Sequence, residues 1–309
     1  MTLGWILACG HGPEEKPLEL VDPASLHLIA SSTPDTLDGP ALEELDADFE
    51  SVFTLSFGDG SGGAGAFRRD DGSTVYARTW PPPELGSAVE AIDPEGNMLW
   101  SLSEMFSSLS FIHGVESGPD DTLVVADTSS GHVLAFDLEG NKLWSIDFVE
   151  GDTIHWPNGI DVATGSDGVT RLAVTMLLQV GSGPDYVDVY TLDGAPELER
   201  RYDVGDAAWP HGPHLDGERV VVSLSARGQV VALEGGAEAW RVPEAPGVLA
   251  FPRDAVFLPD GTMVVADAAT ELLRVYNPLD GFDDIWGRAT PGVFSVELVD
   301  CTELPCLGG

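Results

Sequence analysis

Residues 111–148 read FIHGVESGPDDTLVVADTSSGHVLAFDLEGNKLWSIDF, and the fold is decided there. Three turn signals, Pro119-Asp120-Asp121, Ser129-Ser130-Gly131 and Glu139-Gly140-Asn141, cut the stretch into four short pieces. The pieces, around Gly114–Ser117, Thr122–Ala126, His132–Asp137 and Lys142–Phe148, are too short for helices. They are rich in Val, Leu, Ile, Phe and Trp and read as β-strands joined by tight hairpins. A lone four-stranded meander cannot bury both of its faces, so it needs neighbours.

The rest of the chain supplies them. Leu258-Pro259-Asp260-Gly261-Thr262-Met263-Val264-Val265-Ala266-Asp267 nearly repeats the segment from Gly118 to Asp127. Weaker copies begin at Asp71, Asp167 and Asp216. The ends of the second strands fall at Asp127, Thr175, Ser223 and Asp267, in steps of 48, 48 and 44 residues. Four strands per repeat at that period mark a β-propeller. Chain length over period gives about six blades, so the expected fold is an all-β, six-bladed β-propeller of four-stranded antiparallel blades. Complete blades are expected over residues 65–104, 111–148, 155–204, 209–242 and 249–287. Strand-like pieces at Leu26–Ala30 and Ser51–Leu55, either side of an acidic loop, are expected to close the ring with Phe294–Val299, removing the open edge. Gly58–Gly65 reads as a flexible turn over one face. Trp100, Trp144 and Trp240 recur in fourth strands and are expected to pack between blades.

Charge narrows the partners. The chain of 309 residues carries 52 acidic and 14 basic side chains, a net charge of −38. Nucleic acid and anionic membrane surfaces are repelled by such a surface. The composition fits either an ordinary solvated acidic surface or a salty medium that screens self-repulsion.

In an antiparallel hairpin, the start of the first strand and the end of the second share an edge. The first strand of each propeller blade lines the central channel, so these residues should ring its mouth. The first strands begin Phe111-Ile-His113-Gly114, Trp156-Pro-Asn158-Gly159, Trp209-Pro-His211-Gly212 and Phe251-Pro-Arg253-Asp254. Each is an aromatic, usually a proline, a polar side chain, then a small or acidic residue. The expected ligand-binding set is therefore His113, Asn158, His211, Arg253 and Asp254, with Asp127 and Asp267 added from the second strands. His113 and His211 are the candidate catalytic residues. His113, Asn158 and His211 are candidate ligands for a divalent metal, calcium or zinc, which would compete with protons below about pH 6.5. Arg253 points the other way, to an anionic ligand.

These repeats resemble NHL-type six-bladed propellers over roughly residues 65–290. Trp156-Pro157-Asn158-Gly159 resembles the Pro-Asn-Gly element of gluconolactonase-type propellers, whose asparagine binds a divalent ion. Pro210-His211-Gly212 is similar to the zinc-histidine positions of peptidylglycine amidating lyases. His113 with Leu123–Asp127, and Gly140 with Trp144, resemble arylsulfotransferase-like propellers. These resemblances imply an enzyme on the rim: a metal-dependent lactonase, hydrolase or lyase, or a sulfuryl transferase. The residues themselves favour a propeller that binds a small polar or anionic ligand at the channel mouth, and a protein-interaction scaffold is a further alternative.

Ile6-Leu7-Ala8-Cys9 resembles a bacterial lipobox, which implies lipidation of Cys9 and an envelope or extracellular location. Residues 1–17 would be leader and tether, and residues 18–309 one propeller domain, a monomer touching the membrane through its lipid alone. Outside the cytoplasm, Cys301 and Cys306 are expected to form a disulfide. Intact-mass measurement of protein extracted from host membranes should then show an acyl addition and the loss of two hydrogens. A soluble product with three alkylatable thiols would defeat both expectations.

Overall fold

The computed structural model describes residues 26–32, 41–59, 61–79, 86–103, 111–150, 153–178, 183–243, 248–258, 261–277, 281–282 and 293–300. The leader and tether, Cys9, Cys301 and Cys306 lie outside the described residues.

Leu123-Val-Val-Ala-Asp127 is buried along its whole length, as a strand covered on both faces must be. It is the second strand of a sheet running Ile112–Ser117, Leu123–Asp127, His132–Phe136 and Lys142–Asp147 from inside to outside. The outer strand alternates exposed and half-buried residues. Five more sheets repeat this order. Blade 1 comprises Gly62–Arg68, Thr74–Thr79, Ala88–Ile92 and Met98–Ser101, and the stretch just described is blade 2. Blade 3 comprises Trp156–Thr164, Thr170–Leu177, Asp185–Thr191 and Glu197–Gly205. Blade 4 comprises Pro210–Asp216, Arg219–Leu224, Gln229–Glu234 and Ala237–Val242. Blade 5 comprises Pro252–Phe257, Met263–Asp267, Leu272–Asn277 and Gly281–Phe282. Blade 6 takes its inner strand, Val293–Asp300, from the C-terminal end and the others, Leu26–Ser32, Leu42–Leu45 and Ser51–Leu55, from the N-terminal end. Leu26 pairs with Asp300 and Ser31 with Ser295. Inner strands of successive blades lie side by side around the ring, and Val293–Asp300 closes it against Gly62–Arg68. The chain is a six-bladed β-propeller.

Two expectations are corrected. Gly62–Gly65 is not a turn over one face; it begins the inner strand of blade 1. A side chain at Gly63 would stand 2.5 Å from the Ala41 carbonyl, so the backbone gains its place in the ring by having none. The acidic stretch before Ser51 holds a buried strand, Leu42–Leu45, rather than loop alone.

The apolar core is divided into wedges between blades. Val124, Ala126 and Val133 of blade 2 pack on Leu172, Val174 and Met176 of blade 3, with Trp144 at the edge. Trp100 caps the wedge between blades 1 and 2, and Trp240 the wedge between blades 4 and 5, the packing expected of them. The wedge at ring closure, between blades 6 and 1, adds charge to apolar packing. The Glu44 carboxylate, fully buried, accepts from Arg68 of blade 1 and sits 2.7 Å from His27 Nδ1. Removing one partner of a buried pair strands the other charge, at a cost of roughly 3 kcal/mol. Glu44→Ala should therefore lower folding stability by about that amount, measured by denaturant unfolding, and an unchanged midpoint would show that this pair does not hold the closure.

Candidate functional site

Every inner strand carries an irregularity near its start. In blade 2, Ile112 pairs with Asp127 and Gly114 with Ala126, which leaves His113 as the extra residue of a β-bulge. Asn158 of blade 3, Arg253 of blade 5 and Phe294 of blade 6 occupy the same kind of bulge. In blade 4 the shift falls one residue on, at Gly212, and in blade 1 it spans Ala64 and Gly65. All six positions, Ala64, His113, Asn158, His211, Arg253 and Phe294, line one axial cavity.

At Gly159, just after the bulge of blade 3, and at Gly212, the bulge residue of blade 4, neighbouring inner strands approach closely. A Cβ on Gly159 would lie 2.9 Å from the Gly212 amide nitrogen. A Cβ on Gly212 would lie 2.2 Å from Asp254 Oδ1, and its φ of 35° is already in the left-handed region. The small residue of the repeat motif is thus a condition of closing the ring, and the polar residue before it is turned to the axis.

His113 and His211 converge, with ring centroids 6.4 Å apart. Asn158 joins them: its Oδ1 lies 2.6 Å from His113 Nδ1, and its Nδ2 donates to the Pro210 carbonyl at 3.1 Å. The amide orientation puts the proton of His113 on Nδ1 and leaves Nε2 as the basic nitrogen. His211 has the same tautomer. Its Nδ1 faces the Trp209 carbonyl at 3.0 Å and Ser225 Oγ at 2.8 Å, and the Ser225 hydroxyl donates to the Pro252 carbonyl. Arg253 Nη1 approaches His211 Nε2 at 3.4 Å, and its guanidinium carbon lies 4.5 Å from the Phe294 ring and 5.3 Å from the Phe251 ring. Burial, and then the Arg253 charge, push His113 down to about 3 and His211 well below its usual value. Burial alone brings Arg253 down to about 10. Across the neutral range the ring holds two uncharged imidazoles and one guanidinium.

Deeper in the same cavity lie four carboxyl groups that the sequence reading largely missed. Glu116, Asp161 and Glu297 each stand three residues beyond a ring position, with His214 at the equivalent place in blade 4. A strand alternates its faces with period two, but the extra residue of the bulge inverts the phase, so positions three apart both face the axis. Asp254 completes the group. Burial, and then the neighbouring Glu297, Asp161 and Asp254, raise Glu116 well above the usual carboxyl range. Glu297 is raised by burial and by Asp161 and Asp254. Burial raises Asp254 to about 7 against the pull of two backbone N–H donors, Val296 at 3.0 Å and Ala255 at 2.8 Å. Asp161 is raised too, by burial that outweighs His214 at 3.8 Å.

Asp127 and Asp267 are not brought to the axis. Asp267 is fully buried and accepts from the Ala250 and Phe251 amides at 3.0 and 2.7 Å, with Arg274 at 3.2 Å. It holds the approach to the inner strand of blade 5. Asp127 accepts from the Ser130 amide and the Ser129 hydroxyl in its own turn. Neither lines the cavity. Being next to a hairpin edge placed them beside the rim in sequence, but their carboxylates face backbone donors. Among the described residues no three His, Cys, Asp or Glu side chains stand together as a metal-binding group. The expected proton competition near pH 6.5 is also displaced, since His113 protonates only near 3.

Acids with raised values bind protons more tightly in the folded chain. Their contribution to stability is present below the ordinary carboxyl range and is lost as pH rises through the folded values, about 7 for Asp254. Glu297→Gln should accordingly raise the unfolding temperature at pH 8 and change it much less at pH 4, and equal shifts at both would refute a shared, proton-rich floor.

No family model and no curated protein matches the sequence. Solved structures match the fold. A protein of unknown function from Bacteroides caccae superposes with a TM-score of 0.63 at 15% identity, covering 89% of this chain and 99% of that one. A Bacteroides fragilis protein, named for a proposed 6-phosphogluconolactonase activity, gives 0.60 at 13% identity, covering 90% and 98%. A catalytically inactive virginiamycin B lyase from Staphylococcus aureus, solved with quinupristin, gives 0.54 at 10% identity, covering 79% and 76%. At these identities the likeness is one of fold.

Proposed function

We propose that this propeller binds a small anion at its axial mouth, on Arg253 with His113, Asn158 and His211 around it. The observation that carries this reading is the state of Arg253. Among the described residues every arginine except Arg227 and Arg253 stands within ion-pair distance of a carboxylate. Arg227 is on the periphery and donates to the Asp206 carbonyl. Arg253 has one nitrogen at a histidine and its faces on two phenylalanines. In a chain with 52 acidic residues, a half-buried guanidinium with open donors is arranged to receive an acceptor from outside. The aromatic walls lower the local dielectric and strengthen that attraction. A bare divalent cation in the same place would face the guanidinium.

A second reading, a hydrolase or lyase on the same rim, has one observation in its favour. Both imidazoles have their Nδ1 protons engaged, which makes Nε2 the basic nitrogen of each; that of His211 faces Arg253 Nη1, a cation suited to an oxyanion. The activity named for the Bacteroides fragilis neighbour makes lactones a reasonable first substrate class. The lipobox-like Ile6–Cys9 supports an envelope location for either reading.

Calorimetric titration of the full chain with sulfate, zinc and calcium separates anion from cation. Sulfate should bind, and Arg253→Gln should weaken it about tenfold or more. Sulfate affinity should stay level between about pH 4 and 6, where His113 is already neutral and Asp254 still protonated, weaken as Asp254 ionises near 7, and fall further as Arg253 loses its proton near 10. Binding of zinc or calcium in preference to sulfate, unaffected by Arg253→Gln, would overturn the proposal. Lactone hydrolysis lost in His211→Ala would favour the second reading.

A further inference from the structure

Trp209, two residues before His211 and one ring away from Arg253 through Phe251, stands in a conformation that packing of its side chain does not explain. Its φ is 52°, a left-handed conformation costly for a residue with a Cβ. The backbone is held there from three sides. Asp185 of blade 3, 1% exposed, accepts from the Trp209 amide at 2.9 Å while also accepting from Leu178. The Trp209 carbonyl accepts from the Ser225 amide at 3.1 Å and faces His211 Nδ1 at 3.0 Å. These backbone bonds orient His211, but glycine would make all of them at this φ without strain. The side chain therefore needs a separate reason. A buried indole would find it in the core, yet Trp209 is 41% exposed. It meets Phe251 edge-on at 5.9 Å, and Phe251 in turn lies 5.3 Å from the Arg253 guanidinium carbon. Phe294 and His113 continue the aromatic wall beyond, 5.2 Å apart. The contacts run from the Arg253 guanidinium over Phe251 to the exposed indole of Trp209.

Resting on the anion reading above, we propose that the ligands are carboxylates or similar anions carrying an aromatic ring, and that Trp209 is the platform for that ring. The guanidinium and imidazoles take the charge, and the indole face takes the flat apolar body. Trp209 is then a specificity residue: it selects among anions rather than providing the charge that holds them.

The test is calorimetry on the full chain with sodium acetate, benzoate and 2-naphthoate, which share a head group and differ in aromatic surface. For the unsubstituted protein, affinity should rise about tenfold from acetate to 2-naphthoate. In Trp209→Ala the naphthoate-to-acetate ratio should fall to about one, and Trp209→Phe should keep an intermediate ratio. Thermal unfolding confirms that each variant is folded, and Trp209→Phe decides the matter if the alanine variant is not. A ratio of about one in the unsubstituted protein, or one that survives both substitutions, overturns the role of Trp209 while leaving anion binding at Arg253 standing. If none of the three anions binds and sulfate does not either, the anion reading itself fails and this inference fails with it.

Discussion

Six strands converge on one axis, and at Gly159 and Gly212 they come closer than any side chain permits. This steric limit governs the centre of the molecule. The chain meets it with a bulge that inserts one extra residue in each inner strand just before or at the point of contact. The bulge turns His113, Asn158 and Arg253 to the axis, and the altered phase brings Glu116, Asp161 and Glu297 in behind them. Ring closure and site construction are the same event in the backbone. A substitution that relieves the crowding would also re-aim the side chains.

Electrostatics then sort these residues into two layers. The upper layer is one guanidinium and two imidazoles that burial keeps neutral. The lower layer is four acids crowded so closely that burial and mutual repulsion favour their protonated forms. Were all four ionised, they would attract Arg253 and compete with any anion. Each proton that burial keeps on them leaves more of its charge available to the mouth. The protein's net charge of −38 therefore says little about the potential at its axis.

Much of this was legible in the residue pattern. The spacing of Asp127, Thr175, Ser223 and Asp267 gave the blade period, and the aromatic-Pro-polar-small motif located His113, Asn158, His211 and Arg253. The start of blade 1's inner strand, Gly62–Gly65, escaped because it is built of glycine and alanine, the residues that read as a turn when packing against Ala41 is unknown. The carboxyl floor escaped because strict alternation sends Glu116 and Asp161 away from the axis; only the bulge brings them back. Asp267 was misplaced because a carboxylate at a strand end serves two backbone amides as readily as a ligand. Phe294, which walls both Arg253 and His113, has no polar signal to mark it.

The pairing of Leu26–Ser32 with Val293–Asp300 also carries a consequence for biogenesis. Blades 1 to 5 are assembled from local hairpins and can form as the chain is synthesised, but blade 6 must wait until residues 293–300 have left the ribosome. Joining segments so far apart in sequence is entropically slow. Phe294 and the Val296 amide that anchors Asp254 arrive with that strand. A chain in which that strand has not yet paired would thus display an open edge and an unfinished axial cavity together, so the cavity should be completed abruptly, when the strand docks.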